Sequence, residues 1–90
     1  MSMQIGGAAM IKAYRKIAII QAERFDGSKE MVGRRYIHIF TNGYEEKYLI
    51  STLEGKMLLN IGDWIATGVE GEHWAIADEI FKKTYVEVEG

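Results

Sequence analysis

Short runs of β-branched and aromatic residues, each closed by a glycine-containing turn, recur about every ten residues along most of the chain. Tight turns between antiparallel strands need residues that accept positive φ angles. The chain has 10 glycines and neither proline nor cysteine, so its turns must depend on glycine. The pattern predicts a mainly β fold, a small antiparallel roll or barrel-like meander of about six to seven strands, with one short helical turn near the C-terminus.

The length of the chain limits it to one domain, because 90 residues can build only one ordinary hydrophobic core. Hydrophobic residues make up 48% and charged residues 27% of the sequence, a mixture typical of globular proteins. Residues 1–9 lack a clear periodicity, and we interpret them as a flexible N-terminal extension or a remnant of expression cloning. Residues 10–90 are then a single β-rich domain.

The charge balance argues against binding to nucleic acid through phosphate groups. Lysine and arginine number 11 and aspartate and glutamate number 13, which gives a net charge of -2. No apolar run approaches the roughly 20 residues of a membrane-spanning helix, and the N-terminus has no basic segment followed by an uninterrupted apolar one. We therefore expect a cytoplasmic protein without a membrane partner. The lack of cysteine excludes disulfide scaffolds and thiol nucleophiles.

Glycines close most of the predicted strands, and the first hairpin turns at one of them. These glycines are Gly27, Gly43, Gly55, Gly62 and Gly71. A strict Asn42-Gly43 loop would place apolar side chains opposite acidic ones. A loop longer by one residue instead sets Ile37 opposite Leu49 and His38 opposite Tyr48. We predict this second register because its pairs are better matched.

The second hairpin is predicted to turn at Glu54-Gly55 in a two-residue loop. This register sets Ile50 opposite Leu59 and Tyr48 opposite Ile61. Opposite residues of an antiparallel pair lie on the same face of the sheet, so these four side chains share one apolar face. That face is predicted to contribute to the core.

The third hairpin carries the predicted binding face. A two-residue loop at Glu70-Gly71 sets small residues opposite each other in the middle of one face, so that something bulky could pack there. The face consists of Trp64, His73, Ala66, Gly68 and Ala75. Trp64 is the expected anchor for a partner or a flat ligand. Trp74 is assigned to the core on the other face. The alternative is that the first strand of the chain covers Trp64.

The two ends of the domain are predicted to meet. The first strand is expected over residues 14–25, and residues 29–33 form too short a segment to predict a helix. Asp78 is expected to cap a helical turn over residues 79–83, where the acidic residues come first and the lysines last. Residues 85–88 then form a last strand, which could pair with the first strand and close the barrel.

The sequence offers few groups for catalysis. Its histidines are His38 and His73, and neither has an evident catalytic partner. The acidic and histidine side chains nearest to a metal-binding cluster are Asp63, Glu70, Glu72 and His73. They fall short of the converging ligand set that a metal needs. We therefore expect no catalytic residue, metal or cofactor, although enzymatic activity stays open and a cupin-like metal-dependent enzyme is kept as an alternative.

A short basic cluster supports a second alternative. Arg34 and Arg35 are adjacent and follow Lys29, and together they could bind a phosphate group. With a neighbouring aromatic side chain, the two arginines would make the protein a sponge for a small anionic nucleotide.

Four sequence segments together resemble a family of small, uncharacterised proteins of tailed bacteriophages and prophages. The opening segment is Tyr14-Arg15-Lys16 followed by Ile20-Gln21-Ala22. The other three segments are Thr52-Leu53-Glu54-Gly55-Lys56-Met57, Gly62-Asp63-Trp64-Ile65-Ala66-Thr67-Gly68-Val69-Glu70-Gly71-Glu72 and Ile80-Phe81-Lys82-Lys83-Thr84-Tyr85. The resemblance covers most of residues 12 to 88. It implies an accessory phage or prophage protein that works in the bacterial cytoplasm, and it implies no catalytic residue.

Taken together, these observations favour a non-enzymatic accessory protein. We expect it to bind a host or phage factor through the face around Trp64 and His73, and to form a homodimer because a small chain with two apolar sheet faces has apolar surface to cover.

Overall fold

The computed structural model describes residues 11–15 and 18–88. These residues form six strands and two helices: β1 Gln21–Arg24, α1 Lys29–Arg34, β2 His38–Thr41, β3 Glu46–Thr52, β4 Gly55–Leu59, β5 Trp64–Thr67, β6 His73–Ile76 and α2 Asp78–Thr84. The mainly β class is confirmed. The predicted extension, residues 1–9, lies outside the described residues.

The strands form two antiparallel sheets of three strands each. One sheet has the order β1-β5-β6 and the other the order β2-β3-β4. The sheets do not close into a barrel within the described part of the chain. Residues 85–88 form neither helix nor strand, so the predicted last strand is wrong. The first strand pairs with β5 instead of with the end of the domain.

The core lies between the two sheets and also receives α1. Its buried side chains are Phe25, Met31, Ile37, Ile50, Leu59, Ile65 and Ala75, with Val32 and Tyr48 packed against them. Each large side chain in this cluster contributes about 1.5 to 3 kcal/mol by leaving water. The phenyl ring of Phe25 meets the ring of Tyr48 edge-on at a centroid distance of 5.1 Å, which connects β1 with β3 across the core.

The segment that seemed too short for a helix forms α1, so that expectation is wrong. Ser28 caps the helix, because its Oγ accepts a hydrogen bond of 3.2 Å from the backbone N–H of Met31. Asp26 in turn accepts a bond from the Ser28 N–H, and this bond holds the pKa of Asp26 below its ordinary value. Burial of Met31 then attaches the short helix to the core.

The loop of the first hairpin is one residue longer than predicted, so the predicted pairs of Ile37 with Leu49 and of His38 with Tyr48 are wrong. His38 lies opposite Leu49 and Ile39 opposite Tyr48, so residues 42–45 make up the loop. The side chain of Asn42 stabilises this longer loop, because its Oδ1 accepts hydrogen bonds from the backbone N–H groups of Tyr44 at 3.0 Å and Glu45 at 3.2 Å. The strict Asn42-Gly43 loop is absent, as predicted.

The second hairpin is shifted by two residues from the prediction, and its loop is Leu53-Glu54. Tyr48 lies opposite Leu59, and Thr52 opposite Gly55. Thr52 stabilises the turn, because its hydroxyl donates to the Gly55 carbonyl at 2.6 Å and accepts from the Glu54 N–H at 3.1 Å. A shift by two residues keeps every side chain on its face, so the faces of β3 and β4 are as predicted although the partners differ.

Helix α2 contacts the outer face of the β1-β5-β6 sheet at Trp64, through Asp78 and Phe81. It begins at Asp78 after Ala77, which makes no side-chain capping bond, so the prediction that Asp78 is the cap is wrong. The acidic residues in the first turn and the lysines in the last turn favour the helix dipole, as predicted. Neither helix in the described part of the chain is long and apolar enough to cross a membrane.

Candidate functional site

The third hairpin has a longer loop than predicted, and this divides the predicted binding face. Thr67 lies opposite His73, so residues 68–72 form the loop. Two backbone bonds hold it: the Gly68 N–H donates to the Glu72 carbonyl at 2.9 Å and the Gly71 N–H to the Gly68 carbonyl at 3.0 Å. The pairing is therefore shifted by one residue from the predicted register. Relative to β5, each side chain of β6 lies on the face opposite to the predicted one.

The five predicted binding residues consequently do not share one face. Trp64 and Ala66 lie on the outer face of the sheet, opposite Ile76 and Trp74 of β6. Ala75 lies opposite Ile65, and both are buried on the inner face. His73 also belongs to the inner face, and Gly68 lies beyond the end of β5 in the loop. The prediction that Trp64 and His73 lie on the same face is therefore wrong.

Two contacts hold Trp64 in a defined orientation. Its indole Nε1–H donates a hydrogen bond of 2.8 Å to Oδ1 of Asp78, the first residue of α2. Its ring is stacked on the ring of Phe81 at a centroid distance of 4.2 Å and an interplanar angle of 13°. Phe81 is stacked in turn on Tyr85 at 5.2 Å. Trp64 thus packs within the fold under α2, while part of its surface remains exposed.

Asp78 connects α2 to the sheet electrostatically. The hydrogen bond from Trp64 is the main reason why the pKa of Asp78 lies below its ordinary value, and the Lys82 ammonium, 2.9 Å from Oδ2, lowers this pKa further. Arg24 is more distant, with Nε 3.8 Å from Oδ1. The carboxylate therefore remains charged at neutral pH and holds the indole and the helix together.

An apolar groove of about 470 Å³ opens beside Trp64. Its aromatic side chains are Trp64, Phe81 and Tyr85, and its aliphatic side chains come from residues 18–20 and from the valines of residues 85–88. Glu87 is the charged residue in the lining. The volume is within the range of small-molecule sites, and the chemistry of the lining suits an apolar group. The groove is the best candidate site in the described residues.

Trp74 is half-buried and does not belong to the core cluster, so its assignment to the core is wrong. It borders a second cleft of about 330 Å³ between β6 and the turn that joins β3 to β4. His73 lies at the same cleft, and its Nδ1 is 3.0 Å from the hydroxyl of Thr67. Glu54 and Glu72 also line this cleft.

Arg34 and Arg35, the alternative anion site, already have carboxylate partners. Arg34 forms a bidentate pair with Glu23, at 2.9 Å and 2.7 Å, and also binds Glu30. Nε of Arg35 lies 3.5 Å from the same Glu23 carboxylate. The hydrogen bonds from Arg34 lower the pKa of Glu23, while Glu23 and Glu30 raise the pKa of Arg34. A phosphate group would therefore have to compete with Glu23, and this arrangement does not favour the nucleotide sponge.

Two of the four residues that came closest to a metal-binding set bind the backbone of their own loops. Oδ2 of Asp63 accepts a hydrogen bond of 2.9 Å from the Asn60 N–H, and Oε1 of Glu72 accepts one of 3.0 Å from the Glu70 N–H. Within residues 11–15 and 18–88, no three histidine, aspartate or glutamate side chains are grouped as a metal ion would require. The structure therefore offers no support for a cupin-like metal site.

Comparison with protein-family models, with curated proteins and with solved structures finds no match to this chain.

The sequence predicts Trp64 as an anchor and favours Phe81 and Tyr85 as anchors of the helical turn, but it does not predict that these rings stack beside Trp64. Phe81 and Tyr85 are four residues apart, a spacing that places two side chains on the same side of a helix. This spacing indicates that the two rings form one apolar patch. The sequence could not show that residues 18–20 line the groove. A continuous apolar run does not indicate which side chain lies on which face.

Proposed function

We propose that the chain is a non-enzymatic accessory protein of a phage or prophage, and that it binds a host or phage protein through the apolar groove beside Trp64. The resemblance of its sequence segments to small phage proteins supports the phage setting and a place of action in the bacterial cytoplasm. The groove supports binding. We include self-association as a homodimer in this proposal.

The observation that carries the proposal is the exposure of aliphatic side chains at the rim of the groove. Ile19 is 65% exposed and Val86 is 88% exposed. Both border the same groove as the partly covered ring of Trp64. Contiguous exposed apolar surface of this kind is typical of binding sites, and its burial by a partner would be favourable. The partner segment is therefore expected to be apolar.

The aromatic side of the groove is already ordered before a partner binds. Asp78 fixes the edge of the Trp64 indole, and Phe81 fixes its face. Side chains held in this way lose little conformational entropy on binding, which favours affinity. Tryptophan is also among the residues that most often contribute strongly to protein interfaces. Trp64 is thus the proposed anchor, without the participation of His73.

The proposal is tested by capture from a lysate of phage-infected bacteria, using immobilised wild-type protein and the variant Ile19→Asp. A carboxylate at this exposed rim position should leave the fold intact but oppose burial against an apolar partner. The matched control is Ile80→Asp, since Ile80 is 55% exposed on α2 and does not line the groove.

We expect the Ile80→Asp variant to capture the same specific proteins as the wild type. The Ile19→Asp variant should capture about tenfold less of them, or even less. A tenfold ratio corresponds to a binding penalty of about 1.4 kcal/mol. Each captured protein is then purified and titrated directly against the three chains. Equal affinity of the wild type and Ile19→Asp for every captured protein would contradict the groove as the binding site.

A further inference from the structure

A second surface has the features of a contact between two copies of the chain. The outer face of the β2-β3-β4 sheet exposes Phe40 and Leu58 and carries Lys47 and Lys56. None of the residues that β2, β3 and β4 direct to this face is acidic. Nζ of Lys47 lies 3.9 Å from the Glu45 carboxylate, whereas Lys56 forms no ion pair within the described residues. The charge pattern favours an acidic partner segment.

Strand β4 provides an open edge at this surface. It is the last strand of its sheet, and it pairs only with β3 among the described residues. The backbone groups on the other side of such an edge strand can pair with an added strand. Lys56 and Leu58 are exposed on the outer face, while Met57 borders the cleft next to Trp74. The outer face beside this edge is therefore open, whereas β4 also contacts β6 of the other sheet.

The chain itself contains a segment that suits this edge. Residues 85–88 alternate between apolar and acidic side chains from Val86 onward and form neither helix nor strand. The backbone of Tyr85 is already extended, with φ -123° and ψ 148°. Both valines of the segment are exposed. Alternation with a period of two residues puts the valines on one face of a strand and Glu87 on the other.

We propose that residues 85–88 of one copy add as an antiparallel strand to the β4 edge of a second copy. The register that sets Glu87 opposite Lys56 pairs a carboxylate with an ammonium on the outer face. The same register sets Val86 opposite Met57 on the inner face. It also sets Tyr85 beside Leu58 on the outer face, so each pair is complementary in charge or in hydrophobicity.

This contact rests on the self-association included in the proposed function, and it gives that association a defined surface. Each added strand is short, so the contact buries less than a standard protein interface. The association is therefore expected to be reversible and to occur between about 10 µM and about 1 mM chain concentration. Lys56 and Met57 do not line the apolar groove, whereas residues 85–88 do. The Lys56→Glu variant therefore alters the edge without changing the groove, and partner capture is compared in that variant alone.

The proposal is tested by exchanging the charges of the proposed ion pair. Sedimentation equilibrium over this concentration range measures the association constant of each variant. The variants are Lys56→Glu, Glu87→Lys and the double variant that carries both changes. The control is Lys47→Glu, which makes the same change on the same face but on the central strand. All substituted side chains are exposed, and circular dichroism checks that each variant is folded.

We expect each single variant to weaken the association of the wild type by roughly three- to tenfold, because an ion pair becomes a pair of like charges. The double variant should return to within about twofold of the wild type, and Lys47→Glu should leave the association unchanged. A wild type that stays monomeric throughout, or a double variant no better than the single variants, would overturn the proposal.

Two further outcomes separate this contact from other arrangements. Association that is abolished by Ile39→Lys and unaffected by Lys56→Glu would place the contact at the β2 edge and contradict the proposal. Partner capture is measured in the same Lys56→Glu variant. Capture that persists while association weakens supports the edge contact independently of the groove, so the two proposals can fail separately.

Discussion

At the scale of single residues, the glycines that were predicted to close strands have the backbone geometry that requires glycine. Gly27, Gly43, Gly55, Gly62 and Gly71 all have positive φ angles. The sequence could predict these positions because a strand end followed by glycine is a strong local signal. The side-chain bonds of Asn42 and Thr52 also decide loop length, and they depend on distances that residue identity alone does not supply.

Gly27 combines positive φ with close packing. Its φ angle is 76°, and a Cβ atom there would lie 2.6 Å from Cδ1 of Ile61. Gly71 has a similar φ angle of 83°, but a Cβ atom there would meet nothing within 4 Å. We predict that Gly71→Ala lowers the free energy of unfolding by about 1 to 2 kcal/mol through backbone strain alone.

Gly27→Ala should cost the same strain plus a smaller cost for displacement of the Ile61 side chain, which is 62% exposed and can move away, for a total of about 1.5 to 3 kcal/mol. Urea denaturation of the two variants and the wild type measures the difference. Equal destabilisation by the two substitutions would show that contact between Ile61 and residue 27 has no energetic importance.

At the scale of elements, the strands were easier to predict than their pairing. Runs of β-branched and aromatic residues show where a strand lies, but the register depends on how the loop is closed. In the third hairpin the loop over residues 68–72 is held by backbone bonds, which leave little trace in residue type. The resulting shift places His73 and Trp64 on opposite faces of the sheet. Most of the residues predicted to form one binding face therefore do not lie together, although Trp64 still borders a groove.

Helix α2 is attached to the sheet through Asp78, and this attachment should depend on pH. The pKa of Asp78 is lowered in the folded protein, mainly by the hydrogen bond from Trp64 and also by Lys82. The folded state therefore prefers the charged carboxylate. The stabilisation is fully present above the ordinary aspartate pKa of about 4, and it is lost as the pH falls from there through the folded pKa.

We predict that Asp78→Asn flattens this acid-dependent loss of stability. The amide oxygen can still accept the bond from Trp64, but it carries no charge for a proton to remove. The free energy of unfolding is measured between about pH 6 and about pH 3. The neighbouring variant Glu79→Gln is the control for removal of one carboxylate from α2. If Asp78→Asn followed the wild-type profile, Asp78 would not be the source of the pH dependence.

At the scale of the whole molecule, the two sheets share one core cluster among the described residues. Ile65 has 0% exposure and packs in the cluster that contains Ile50 and Leu59 of the other sheet. The two sheets should therefore unfold together. The composition could predict a single core, but it could not show that two open sheets face each other instead of closing into a barrel.

We predict that Ile65→Ala lowers the free energy of unfolding by about 2 to 5 kcal/mol, because it leaves a cavity between the sheets. The unfolding curves followed by tryptophan fluorescence and by far-ultraviolet circular dichroism should coincide. The control Val69→Ala alters an exposed side chain and should change stability by less than about 0.5 kcal/mol. Separate transitions for the two signals would contradict a shared core.

The central claim is that the groove beside Trp64 is the binding surface, and the two tryptophans allow a direct measurement of it. Nuclear magnetic resonance resolves the indole N–H signals of Trp64 and Trp74 during titration with a captured and purified partner. Trp64 borders the groove, whereas Trp74 borders the separate cleft. We predict that the Trp64 signal shifts on binding and that the Trp74 signal does not. A shift of the Trp74 signal alone, or binding that shifts neither signal, would contradict it.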